Sequence, residues 1–166
     1  MTKRLATIKI LFLALLLAGC PNDAPGESTD TSASELEQFQ DSHYITEGDG
    51  DMIVYAFTDP QCPACDQLHQ RVAEGATPNI EWRWIPVGFL GQGARRDAAN
   101  RIEEALDVDG EMAEEENRQL AVSLGVRSVP TIFYRHPNGE TYHFSGGNQQ
   151  QLSGLESVAE QYREEQ

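Results

Sequence analysis

The sequence predicts an α/β fold, a mixed central sheet with helices on both faces. Apolar runs rich in β-branched and aromatic residues alternate with stretches of helical spacing, in the order β-β-α-β-α-β-β-α. A long helical stretch, Ala94 to Leu124, separates the third strand from the fourth. Pro137-Asn138-Gly139 then marks a hairpin between the last two strands.

The chain opens with "MTKRLATIKILFLALLLAGC". Lys3, Arg4 and Lys9 give a positive start, Ile10 to Ala18 is almost wholly apolar, and small residues precede Cys20. That is the layout of a secretory signal peptide. The apolar run is short for a membrane span, which takes about 20 residues. Leu17-Ala18-Gly19-Cys20 resembles the lipobox of bacterial lipoproteins. The resemblance implies cleavage ahead of Cys20 and lipidation of its thiol, where several acyl chains give a stable membrane anchor. An ordinary signal peptide with a chance cysteine is the plainer alternative. Pro21 to Ser32, "PNDAPGESTDTS", is small and polar and reads as a flexible tether. The expected organisation is a leader over 1–19, a lipidated cysteine and tether over 20–33, and one domain over 34–166. Those last residues, about 130, suffice for a core of their own.

Within the domain, Ser34 and Glu37 form a capping-box pattern that starts a short helix. "HYITEG" and "MIVYAF" read as strands on either side of the turn-like "GDGD". Cys62 to about Glu74 is helical in composition, and "NIEWRWIPVGF" is a further strand. Ala98, Ile102, Ala105 and Leu106 recur on one helical face, and Met112 to Leu124 continues the pattern after Asp-Gly. "TIFYRH" and "TYHFSG" are the hairpin strands. Leu152, Leu155, Val158, Ala159 and Tyr162 line the apolar side of a final helix.

The formal charge is −15, and no lysine follows Lys9. Loss of the leader would remove three cations and leave the chain more acidic still. Nucleic-acid binding calls for a basic footprint, so this composition argues against it. Acidity of this kind favours solubility, and a well-solvated surface accounts for most of these charges.

The chemistry concentrates in "FTDPQCPACDQLH", Phe57 to His69. The chain has three cysteines. If Cys20 is acylated, only Cys62 and Cys65 remain as thiols in an oxidising exported space, and a disulfide within the chain joins them. Cys62 falls where a strand has ended and a helix begins. Unpaired N–H groups and the positive end of the helix dipole favour a thiolate there, and the thiolate is the attacking species in disulfide exchange. Pro63 suits the first helical turn, where its missing N–H costs nothing. Cys65, one turn further, is placed to displace whatever Cys62 has captured. A metal site from Cys62, Cys65 and His69 is the rival reading, with copper delivery as its form. Structural zinc wants four ligands, and His43, His136 and His143 show no paired spacing. A purely structural disulfide would close so small a loop that it removes little chain entropy. His69 lies on nearly the same helix face as Cys62, as a tuning group or as a packed, hydrogen-bonded side chain. Further on, Val129-Pro130-Thr131 puts a proline just ahead of an apolar run, at a strand start rather than inside a central strand. A cis bond there would expose an unpaired backbone edge for an extended substrate.

Strand, Cys-Pro-Ala-Cys, helix and late Val-Pro-Thr, in that order, resemble the thioredoxin fold with a helical insertion. More narrowly, "HYITEG", "IVYAFTDPQCPAC", Leu68-His69, "WIPVG" and "LGVRSVPTIFY" resemble the catalytic domain of periplasmic disulfide isomerases and reductases of the DsbC/DsbG type. The likeness runs from Ser42 to about Val158. It implies that Cys62 is the nucleophile and Cys65 the resolving thiol of a redox disulfide. It also implies a substrate-binding edge at Val129, Pro130 and Thr131, with Pro130 cis. The expected function is thiol–disulfide exchange on cysteines of exported proteins, in the reducing or isomerising direction. The partners would be those proteins and a membrane thiol electron donor, in the periplasm, with no cofactor and no resident metal. A dithiol oxidase, a reductase for cytochrome maturation, a copper-binding module and a non-catalytic scaffold are the alternatives. Several positions depart from the pattern. Val129 stands where this family usually has threonine, as in oxidase-like relatives. Gln61 stands where thioredoxins carry tryptophan. The family's N-terminal dimerisation domain has no counterpart between Cys20 and Ser42, and the insertion, Gly91 to Leu124, is shorter. Thioredoxins also bury a carboxylate six residues before the first cysteine. Ala56 occupies that place here, which leaves Glu74 and Glu81 as candidate substitutes.

Overall fold

Strand β2, Met52–Thr58, sits at the centre of the sheet, and its composition explains why. Six of its seven residues are buried, so it needs neighbours on both edges and cover on both faces. The computed structural model describes residues 33–164; the leader, Cys20 and the tether lie outside the described residues. Strand β3, Ile80–Pro86, runs parallel to β2 on one side, and β4, Thr131–Arg135, runs antiparallel on the other. The short β1, Ile45–Glu47, pairs antiparallel with β3, and β5, Thr141–Ser145, pairs antiparallel with β4. The order is β1-β3-β2-β4-β5, a mixed five-stranded sheet. The first two strands therefore do not pair with each other across "GDGD"; β3 inserts between them. The β4–β5 hairpin forms as its turn signal indicates, with Gly139 at φ 87°.

Side chains alternate across the sheet and build two cores. On one face Met52, Val54 and Ala56 of β2 join Trp82 and Trp84 of β3. Leu68 covers them from helix α2, Pro63–Ala73, and Leu152, Leu155 and Ala159 from helix α5, Gln149–Glu164. On the other face Tyr55, Phe57 and Phe133 surround Phe39, which stacks on Tyr55 with centroids 4.7 Å apart. Phe39 comes from a 3-10 turn, Phe39–Asp41, that follows helix α1, Ala33–Gln38.

The stretch Ala94 to Leu124 is two helices, α3 at Gln92–Leu106 and α4 at Gly110–Ser123. Asp107 adopts the left-handed conformation and ends the first; Asp109 caps the second, its carboxylate accepting from Met112 N at 3.0 Å. The expected apolar face shifts as a result. Ala94, Ala98, Ala99 and Ile102 are buried, whereas Ala105 and Met112 are exposed. A side chain near the break faces a new helix axis rather than a continued one. No described helix is long and apolar enough to cross a membrane.

Candidate active site at the start of helix α2

The C-terminal end of β2 delivers the chain to Cys62, and the parallel pairing with β3 brings Pro86 opposite Thr58. Cys62 is the N-cap of α2, with extended backbone at φ −91° and ψ 114°. Its carbonyl accepts from Cys65 N at 3.0 Å and Asp66 N at 3.1 Å, which closes the first turn. Pro63 occupies the first turn, and no side chain caps the helix. The Cys62 thiol points instead at Val129 O, 3.5 Å away. Both cysteines are free thiols in this structure.

Cys65 lies one turn behind and is 1% exposed, against 7% for Cys62. Burial pushes the Cys65 thiol well above the ordinary range of a thiol. The Asp59 N–H, 3.5 Å from Cys65 Sγ, pulls the other way, and the neighbouring Cys62 adds to the rise.

The Val129–Pro130 peptide is cis. Phe57 pairs with Thr131, so the segment ahead of β4 lies beside the end of β2 and hence beside Cys62. Pro130 O accepts from Gly146 N at 2.8 Å. Thr131 is turned inward: its hydroxyl donates to Ser128 O at 2.7 Å and lies 3.1 Å from Ser145 Oγ. Cys62, Cys65 and the Val129–Pro130–Thr131 segment thus come together.

Three other candidates do not join them. His69 packs its ring against Trp84, with centroids 4.0 Å apart. Burial lowers its pKa first and Arg101 second, and its Nε2 is buried without a hydrogen-bond partner. Among the described residues, no three His, Cys, Asp or Glu side chains converge as metal ligands. The trio of Cys62, Cys65 and His69 that the rival metal reading requires is therefore not assembled. Glu74 caps the far end of α2, about three turns from Cys62. Glu81 pairs with Arg83 at 2.8 Å and sits opposite Ile53, at the other end of β2. Neither can replace the carboxylate missing at Ala56, which is itself buried in the core.

The buried carboxylate near Cys65 is Asp59, three residues before Cys62 rather than at the position of Ala56. It is 1% exposed. Its side chain accepts from Gln61 N at 2.7 Å and from Leu90 N at 2.9 Å. Gln61, in turn, donates from Nε2 to Asp97 Oδ2 on α3 at 2.8 Å. The available signal was Asp followed by Pro just ahead of a helix, a pattern that binds local backbone N–H groups.

A family model described as Thioredoxin-like domain matches residues 39–153. No curated protein matches the sequence. Among solved structures, the chain is similar to the catalytic domain of Proteus mirabilis ScsC, at 18% identity and a TM-score of 0.57, covering 78% of this chain and 95% of that one. It is similar to a periplasmic thioredoxin-like protein from Salmonella enterica serovar Typhimurium, at 15% identity and a TM-score of 0.59, covering 81% and 98%. It is also similar to the thiol-disulfide exchange protein alpha-DsbA2 from Wolbachia pipientis, at 14% identity and a TM-score of 0.57, covering 78% and 94%. At such identities the likeness speaks for the fold, and the family match spans most of the chain. On the ground of that family match the protein belongs to the thioredoxin-like domain family.

Proposed function

We propose that this protein is a thiol–disulfide oxidoreductase with Cys62 as nucleophile and Cys65 as resolving thiol. One observation carries the reading. Cys62 caps α2 at the outer end of the turn, 7% exposed, while Cys65 lies one turn behind it, 1% exposed. The Cys62 thiolate attacks a substrate disulfide, forms a mixed disulfide and expels one substrate sulfur as thiolate, which takes a proton from solvent. Cys65 then loses its proton to solvent, attacks Cys62 Sγ and expels the second substrate sulfur. The substrate disulfide gains two electrons and the Cys62–Cys65 pair supplies them. A dithiol donor at the membrane restores the pair.

The substrates are cysteines of exported proteins, with the backbone of Val129 and Pro130 as the edge beside which an extended substrate lies. Support comes from the family match and from structural neighbours described as periplasmic or as exchange proteins. We place the protein in the periplasm, held to a membrane through Cys20, in line with the lipobox resemblance. The reducing or isomerising direction follows the DsbC/DsbG-type motif around the cysteines; Val129 is the feature that favours an oxidase instead. Equilibration with glutathione of known poise separates the two, since about 30 mV corresponds to 1.4 kcal/mol.

The decisive experiment is trapping. Cys65→Ser is expected to accumulate partners linked to Cys62, visible as reducible adducts on non-reducing gels, and Cys62→Ser to accumulate none. An unadducted Cys65→Ser protein in a compartment rich in disulfides would reject the exchange reading.

A further inference from the structure

A carboxylate as buried as Asp59 needs partners, and here they are backbone N–H groups rather than a cation. Oδ1 holds the active-site turn through Gln61 N at 2.7 Å. Oδ2 holds the loop after β3 through Leu90 N at 2.9 Å. The main chain of the same residue reaches both cysteines: Cys62 N donates to Asp59 O at 3.0 Å, and Asp59 N donates to Cys65 Sγ at 3.5 Å. The loop that carries Leu90 is fixed independently. Val87 N donates to Thr58 O at 2.9 Å, Gly88 N to the buried Glu114 carboxylate at 2.9 Å, and Asn117 donates to Pro86 O at 3.2 Å. Asp59 therefore ties the redox turn to a rigid wall.

We propose that Asp59 is a positioning residue for the resolving step, its carboxylate clamp aiming its own backbone N–H at Cys65 Sγ. The inference rests on the exchange reading above. In that step Cys65 gives its proton to solvent and its sulfur attacks Cys62 Sγ. The Cys62–Cys65 bond forms as the Cys62–partner bond breaks, and the partner leaves as a thiolate that solvent protonates. Negative charge resides on Cys65 Sγ only during this passage. A hydrogen bond to a charged acceptor is roughly twice as strong as one to a neutral acceptor, so the N–H stabilises the passage more than the resting thiol. The carboxylate's own charge works against a Cys65 thiolate, but it is the smallest of the influences on that thiol.

The variant Asp59→Asn sets the two effects against each other, since loss of the charge favours a Cys65 thiolate and an opened clamp does not. It removes the charge, and it sets an amide N–H₂ against one of the two backbone donors, so the clamp opens on one side. The probe is glutathione disulfide, added to the reduced full chain and followed by acid quench and mass spectrometry. Capture is read as the glutathione adduct on Cys62, and release as its conversion to the Cys62–Cys65 disulfide. Release is expected to slow by about tenfold relative to capture, the scale of one charge-assisted hydrogen bond. Release that is unchanged or faster, or that slows in step with capture, overturns the inference. Should Asp59→Asn fail to fold, Leu90→Pro deletes a donor while keeping the carboxylate, and it carries the same expectation and the same refutation. If the unmodified protein takes up no glutathione at Cys62, the exchange reading itself falls. Capture by the unmodified protein with no selective slowing in the variants defeats only the role of Asp59.

Discussion

Cys65 Sγ is enclosed by the first turn of α2 and the end of β2, and its thiol is held protonated chiefly by that burial. Ionisation in the folded protein therefore requires a pH above the ordinary thiol value of 9.0. Cys62 sits further out, against the carbonyl of Val129. Iodoacetamide at pH 8 is expected to label Cys62 in the native protein and to leave Cys65 roughly tenfold or more slower than in the urea-unfolded chain. Peptide mass spectrometry over a time course reads both sites. Equal labelling of the two in the native protein would contradict the enclosure. The asymmetry was legible in the sequence, because a cap and a first turn are local features set by Pro63 and by the end of an apolar run. Asp59 was not legible in the same way. Its Gln61 partner is two residues off, but its Leu90 partner lies 31 residues along the chain, and only the β2–β3 pairing brings that loop to it.

The elements themselves follow the sequence closely where the pattern is one of period. Strands β2, β3, β4 and β5 and helices α2 and α5 fall where apolar spacing puts them. The order of strands does not follow from period, since β1 and β2 flank a turn yet pair with β3 instead of each other. The break between α3 and α4 was hidden for a related reason. Asp107 and Asp109 are compatible with continued helix until packing is considered. Packing shows at the start of α4 as a close approach to α3: a Cβ on Gly110 would lie 2.2 Å from the Ala99 carbonyl oxygen. Ala offers a helix up to about 1 kcal/mol over Gly. Overpacking against backbone costs about 1–3 kcal/mol and has no flexible side chain to yield. Gly110→Ala is therefore expected to destabilise the protein by about 2 kcal/mol. Gly154 of α5 meets nothing within 4 Å, so Gly154→Ala should stabilise by about 0.5–1 kcal/mol. Urea unfolding of the two variants checks the opposite signs, and a stabilised Gly110→Ala would show that α3 and α4 do not pack as described.

At the scale of the whole molecule, two cores on opposite faces of one sheet hold the redox turn between them, and their composition gives stability a pH dependence. The face under α2 and α5 stacks Trp82 on Trp84 at 4.7 Å and lays His69 against Trp84. Glu47 accepts from Trp84 Nε1 at 2.8 Å, and Arg101 and Asp66 are the other charges that act on the imidazole. Burial, seconded by Arg101, outweighs Glu47 and Asp66 and lowers the His69 pKa below its unfolded value of 6.5. The sign follows from proton binding. As pH falls below 6.5, the unfolded chain takes up a proton at His69 before the folded protein does, so unfolding is favoured. The stability that neutral His69 allows is thus fully present above pH 6.5 and is lost as pH falls from there toward the lowered folded value. The imidazole Nε2 is buried without a partner, so a proton placed there would find no acceptor. His69→Phe keeps a ring against Trp84 and removes the titration. The urea midpoint is expected to fall less between pH 7.5 and pH 5.5 for His69→Phe than for the parent protein, while His43, which lies 2.7 Å from Glu116 of α4, remains in both. Equal falls in the two proteins would mean that His69 is as easily protonated folded as unfolded, and that its packing on Trp84 leaves room for water.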